Sequence, residues 1–278
     1  MIPLILVAIL LSALAAFTKM VGALISGSIA LLADGADSII NIGSIALATY
    51  MFTRSRKPPD AEHPYGHYGF EVLSATLTSI VMAIVMSFII STTISRLEHH
   101  EVSYLSIYFS AISTAILISS VYLFHRISGK YGSLALRAET RHLAADILES
   151  VIVLTGVILA VSLSYLYDLI TALIVAAFMV YGIALNLKEI SESITYKLPS
   201  RTLQNTIESI VRSTPGIIEC HAIRVRRLGD ALFVDMHILV DPKLSIEDAH
   251  KLAHRVEDFI KSSIKNIKDI VIHIEPAK

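Results

Sequence analysis

The chain has 278 residues, 54% of them apolar, a mean hydropathy of +0.66 and a formal net charge of −1. A soluble globule of this size could not keep so much apolar surface from water, so the composition points to a membrane protein. The balanced charge argues against a nucleic-acid binder, which is expected to carry a basic excess or a basic stripe. A single cysteine, Cys220, rules out an intrachain disulfide and any CxxC motif, which leaves histidines and carboxylates as metal ligands.

A bilayer core takes about 20 apolar residues per helix. Candidate spans fall at 2–25, 28–53, 72–96, 103–126, 142–163 and 168–188. The first run lacks a basic n-region and a convincing cleavage site, and further apolar spans follow it, so it reads as a membrane helix and not as a signal peptide. Arg54, Arg56 and Lys57 follow the second span, and Arg126, Lys130, Arg137 and Arg141 surround the fourth-to-fifth connection. By the positive-inside rule these loops and both termini are expected on the cytoplasmic side, in an integral protein of the cell membrane.

Beyond the sixth span the composition turns mixed. Residues 203–213 suit a short amphipathic helix, and 221–228 and 232–240 alternate as strands around Gly229-Asp230. Ser245 and Asp248 open a helix that runs to about 263, its start marked by a capping box, and 269–275 reads as a last strand. The expected fold is a membrane α-helical domain of six transmembrane helices (1–190), a linker (191–202) and a small cytoplasmic α/β domain (203–278) of αββαβ, ferredoxin-like order. Two helices would cover one face of its sheet.

Charge in hydrocarbon is costly, so intramembrane polar residues mark function. On the second span Asp34, Asp37 and Asn41 fall within about 60° of one another at helical pitch. His142 and Asp146 share a face of the fifth span as an i, i+4 pair. Two helices thus offer two ligands each, enough to close a tetrahedron around one ion. The plainer alternative is hydrogen bonding between helices. Asp34 reads equally as a ligand-supporting or a packing residue, and Lys19 either as its counter-charge or as a snorkelling lysine. Two carboxylates balance a divalent cation, and His142 must lose its proton to bind one, which makes metal/proton exchange the expected chemistry.

Between the second and third spans, Asp60, His63 and His67 sit in a Pro/Gly turn that could hold a metal or simply leave its histidines solvated. The motifs G-S-x-A-L-L-A-D-G-x-D-S (27–38), H-P-Y-G-H (63–67) and H-x-x-x-D (142–146) resemble the cation diffusion facilitator family, over nearly the whole chain. The resemblance implies a divalent-metal efflux transporter, not an enzyme. It places a transport site at Asp37, Asn41, His142 and Asp146 and a loop site at Asp60, His63 and His67. It places a third set at His221, His237, His250, His273 and Glu275, in a domain that joins homodimers. The expected partners are lipid, protons and the transported or regulatory metal: zinc first, with manganese, iron(II), cobalt and cadmium as alternatives. No other cofactor is expected.

His273 and Glu275 share one side of a strand by the two-residue period, whichever family is invoked. His254 shares a helix face with His250 but matches no family ligand position. His99, His100 and His125 near span ends are expected at the interface. Three departures from the family pattern stand out: Asn41 replaces a common second aspartate, Gly69 replaces a basic residue after the loop histidines, and Glu275 replaces an aspartate. An intramembrane aspartyl enzyme built on Asp37 and Asp146, or a metal sensor without transport, are the competing classes.

Overall fold

The computed structural model describes residues 2–97, 101–131 and 134–277, with side chains described outside 2–5, 127–131 and 134–141. His99 and His100, and the side chains of Lys130, Arg137 and Arg141, lie outside the described residues. Six long helices come first: α1 (Ile2–Ser26), α2 (Ile29–Ser55), α3 (Gly69–Ser95), α4 (Leu105–Tyr131), α5 (Leu134–Ser162) and α6 (Leu166–Ile194). Among the described residues these six are long and apolar enough to cross a membrane. Hydropathy located all of them but set several ends short: α5 begins about two turns earlier and α6 ends later than the apolar runs. A helix does not stop where hydrocarbon stops, and Lys188, Glu189 and Glu192 continue α6 in polar sequence.

By contacts the chain forms two compact units, one of residues 1–48 and 77–186, the other of 49–76 and 187–278. In the first, Ala23, Leu31, Met82, Ile89, Val153, Val157, Leu169 and Met179 make a core from α1, α2, α3, α5 and α6. A second cluster joins Ala8 and Ala15 of α1 to Leu117 and Phe124 of α4 and Leu143 of α5. Helix α1 is pinned to α4 by polar contacts, with Ser120 donating to the Ala8 carbonyl at 2.8 Å and paired with Ser12 across 2.9 Å. Large apolar side chains on the outer faces stay exposed, as lipid-facing residues must.

The second unit holds the C-terminal domain: α7 (Arg201–Arg212), β1 (Glu219–Leu228), β2 (Ala231–Val240), α8 (Ile246–Ser263) and β3 (Ile267–Pro276). Strand order is β1-β2-β3, antiparallel between β1 and β2 and parallel between β2 and β3, with α8 as the crossover. This is the expected αββαβ order. Ser200 caps α7, and Ser245 caps α8 by accepting from the Asp248 amide at 3.1 Å. Ile207 and Val211 of α7 and Leu252, Val256 and Ile260 of α8 cover one sheet face, meeting Val234, Met236, Ile238 and Ile270. Alternation therefore turns Asp235, His237 and Leu239 to the opposite face.

The interhelical packing of α5 on α6 rests on a missing side chain. A Cβ on Gly156 would lie 1.9 Å from Oγ1 of Thr171. Gly156→Ala should therefore force the two helices apart and cost about 1–3 kcal/mol, the usual penalty of overpacking. The check is the thermal midpoint of the detergent-purified protein, and an unchanged midpoint would show that α6 yields freely.

Candidate metal centres

Within the membrane unit Asn41, His142 and Asp146 line one cavity of about 310 Å³, together with Lys19, Ser38 and apolar residues of α1, α4 and α5. Asp37, one turn before Asn41 on α2, accepts a hydrogen bond from the Asn41 amide at 2.8 Å. All four expected residues are thus gathered by α2 and α5. Asp37, His142 and Asp146 are not closed tightly together: among the described residues, the sets of three histidines or acids that converge within 4.8 Å lie elsewhere.

The surrounding charges are paired. Lys19 is 1% exposed and donates to Asp34 at 2.6 Å and to Ser38 at 3.0 Å. The lysine is a counter-charge and does not snorkel. Asp34 is thereby committed to an ion pair, with the Ser150 hydroxyl at 3.5 Å, which makes it a supporting residue. Asp168, fully buried at the start of α6, accepts from the amides of Ile29 (2.7 Å) and Ala30 (3.3 Å) and from the Ser28 hydroxyl. It satisfies amides that the first turn of α2 cannot satisfy itself.

Sequence reasoning missed Glu149. It lies one turn beyond Asp146 on α5, and its Oε1 is buried without a hydrogen-bond partner. Its electrostatic neighbours are Asp37, Asp34, Lys19 and Asp146. The signal was available, since a glutamate inside an apolar span is as costly as an aspartate, but it stands outside the recognisable H-x-x-x-D motif.

The loop residues do converge. Asp60 Oδ1 accepts from the amides of Glu62 (3.0 Å) and His63 (2.7 Å), an Asx turn that fixes the carboxylate. Gly66, at φ +87°, reverses the chain so that His67 comes back toward Asp60. His63 Nδ1 then lies 3.5 Å from Oδ1 and His67 Nε2 3.3 Å from Oδ2, and ligand atoms of the three residues fall within 4.8 Å of one another. Amide hydrogen bonds, His63 first, hold the Asp60 carboxyl below its ordinary range, so it stays ionised. Two imidazoles and a carboxylate fit a borderline divalent cation.

The loop is also tied to the C-terminal domain inside the same unit. Arg56 meets Asp230 of the β1–β2 turn at 2.6 Å, and the Arg226 guanidinium lies over the rings of Tyr65, Tyr196 and Phe233. The interlock that Gly69 cannot supply is made by these residues instead.

On the open sheet face, His221, His237 and His273 stand directly opposite one another across β1, β2 and β3. A bulge between His221 and Arg224, with Ala222 at φ 51°, absorbs one extra residue. It thereby keeps His221 outward while Cys220 and Val225 both face the core. Glu275 lies 2.8 Å from His237 Nδ1 and 3.6 Å from each of His221 Nε2 and His273 Nε2. The His237 hydrogen bond, helped by the neighbouring imidazoles, holds its carboxyl below the ordinary range. His250 does not join this row within one chain: it lies on α8, across the sheet, beside His254.

Residues 5–195 match the family described as "Cation efflux transmembrane domain", and residues 199–277 match "Cation efflux protein, cytoplasmic domain". The chain belongs to the cation diffusion facilitator family. It is 28% identical to metal tolerance protein C1 of Arabidopsis thaliana over 90% of this chain, and spans 57% of that protein's length. It is 27% identical to the cation-efflux pump FieF of Pectobacterium atrosepticum, covering 90% of this chain and 84% of that one. It is also 27% identical to the manganese efflux system protein MneP of Bacillus subtilis, covering 91% and 88%. A nickel form of a MamM CTD variant aligns at 25% identity with 28% of this chain and all of that one, at a TM-score of 0.28. Family and fold agree: an integral membrane protein of six helices followed by a small α/β domain.

Two outcomes follow from these contacts. Lys19→Met leaves Asp34 buried and unpaired and should destabilise the protein by about 3–5 kcal/mol, whereas Lys19→Met with Asp34→Leu should recover most of that loss. Equal thermal midpoints for the single and double variants would show that the pair is not coupled. A carboxylate with a lowered folded pKa stabilises the fold above its unfolded value and loses that contribution as pH falls through the folded value. Asp60→Ala should therefore lower the midpoint at neutral pH. The wild-type advantage should persist below about 3.9, the free aspartate value, and vanish only in stronger acid.

Proposed function

We propose that the chain exports divalent transition-metal ions across the cell membrane in exchange for protons, zinc first among them. The observation that carries the reading is the intramembrane cavity lined by Asn41, His142 and Asp146, with Asp37 hydrogen-bonded at its edge. Lys19 is consumed by Asp34, so Asp37 and Asp146 supply the two negative charges that a divalent cation needs. His142 adds a borderline nitrogen ligand and exchanges its proton for the metal. Glu149 adds a further carboxyl group beside the cluster.

A manganese reading has its own support. One nitrogen and three oxygens form a hard donor set, and one relative is a manganese efflux protein. The C-terminal domain serves as a homodimer joint whose open sheet face is covered by a second copy. Metal held by His221, His237, His273 and Glu275 then biases the membrane helices between inward and outward states. The termini and the loop of Asp60, His63 and His67 lie on the cytoplasmic side.

Purified protein in liposomes with an internal pH dye, challenged in turn with zinc, manganese, iron(II), cobalt and cadmium, tests the reading. Metal entry with opposite proton movement is expected for wild type, and a loss of tenfold or more for Asp37→Ala, equivalent to about 1.4 kcal/mol or more of binding or barrier. Asn41→Asp should change the proton-to-metal ratio or the metal preference, because it adds a titratable charge. Wild-type protein without flux, or Asp37→Ala with undiminished flux, would sink the reading.

A further inference from the structure

Helix α5 carries more polar groups on its inner face than the two of its H-x-x-x-D motif. At about 100° per residue His142, Asp146 and Glu149, at i, i+4 and i+7, fall within about 60° of one another. Val153 and Val157, both fully buried, continue that stripe in the core, while Leu148 and Val151 on the opposite side of the helix are exposed. Glu149 therefore faces the inside of the bundle.

Its height in the bundle follows from two contacts. The Ser150 hydroxyl reaches Asp34 Oδ1 at 3.5 Å, and His142 shares a cavity with Asn41. Positions thus rise along α2 as they fall along α5, so the two helices run antiparallel. With a rise of about 1.5 Å per residue, Asp37 lies about 4.5 Å along the axis from the level of Asp34 and Ser150, between Glu149 at about 1.5 Å and Asp146 at about 6 Å. Asp37 is accordingly first among the electrostatic neighbours of Glu149. The cavity extends from Lys19 past Ala46 and His142 to Ile9 and Phe124, toward the start of α1 and the end of α2. Glu149 lies in the other direction, beyond Asp37 and Asp146.

The described contacts give this acid no structural task. Asp34 is paired with Lys19, which also donates to Ser38, and Asp168 takes the free amides of α2. Glu149 lies in the middle of α5, where amides are bonded along the helix itself. Its Oε1 is buried without a hydrogen-bond partner. A buried oxygen left over in this way marks a place for a water or an ion, and an acid at membrane depth marks an ion's route.

We propose that Glu149 is a fifth cation-binding residue of the transport centre, supplying an oxygen ligand beside Asp37 on the side away from the cavity. This rests on the efflux reading and extends it from four residues to five, adding a position further along the ion's path across the bundle.

Metal binding, read without transport, tests it. Full-length protein in detergent is labelled with diethyl pyrocarbonate across a zinc titration, and modification of each histidine is followed by peptide mass spectrometry. His142 reports the transport centre, and His237 and His273 report the C-terminal domain in the same sample. Zinc should protect His142 in wild type. Glu149→Gln, which keeps the shape of the side chain, should raise the zinc concentration for half-protection of His142 by about tenfold or more, with His237 and His273 as in wild type. Glu149→Asp, which keeps the carboxyl group, should recover part of that loss. Wild-type protein in which zinc leaves His142 unprotected sinks the efflux site and the fifth residue together. A protected wild type with Glu149→Gln unchanged from it, or Glu149→Asp no better than Glu149→Gln, overturns the fifth residue alone.

Discussion

Hydrocarbon cannot solvate a charge, and the membrane half of this protein is organised around that fact. Lys19 and Asp34 neutralise each other inside the helix bundle, and Gly35 lets the two helix backbones close up, since a Cβ there would meet the Met20 amide nitrogen at 3.1 Å and the Cβ and carbonyl carbon of Lys19 at 3.2 and 3.4 Å. Asp168 meets the same demand differently, spending its charge on the free amides at the start of α2. Beside Asp34, paired with Lys19, and Asp168, capping α2, the same helices carry three further acids, Asp37, Asp146 and Glu149. The pair and the cap also fix α2 against α1 and α6.

The C-terminal domain solves a different problem, that of bringing imidazoles together on a surface water can reach. Strand register does most of this, because three histidines on three neighbouring strands fall into one row without any loop to position them. The bulge at Ala222 is the correction that makes the row possible while Cys220 and Val225 remain in the core. Glu275 then sits where all three imidazoles can share it.

Much of this was legible in the sequence, for physical reasons that differ by residue. Apolar run length located all six membrane helices, since the bilayer imposes one length scale. The cost of buried charge singled out Asp37 and Asp146, and helical spacing joined Asn41 and His142 to them. The capping box at Ser245 fixed the start of α8. Contacts made across long separations were not legible. Nothing local to Asp168 says that it caps a helix 140 residues away, and nothing local to Arg56 names Asp230. Lys19 had two readings because a long side chain can bury its charge or carry it to the interface, and only the position of Asp34 decides. The extra bulge residue was invisible because alternation survives on both sides of it. His254 was set aside because it matches no family ligand position and exposed helix histidines are common.

The Arg226 guanidinium, with the rings of Tyr65, Tyr196 and Phe233 around it, has a consequence for how substitutions accumulate in this chain. Tyr65 sits between the two loop histidines, Phe233 is on the middle strand and Tyr196 follows the last membrane helix. A flat cation stacked among three rings tolerates neither a smaller ring nor a lysine in its place. These four positions, more than 150 residues apart at their extremes, are therefore expected to drift as a set, each change at one constraining what the others can become.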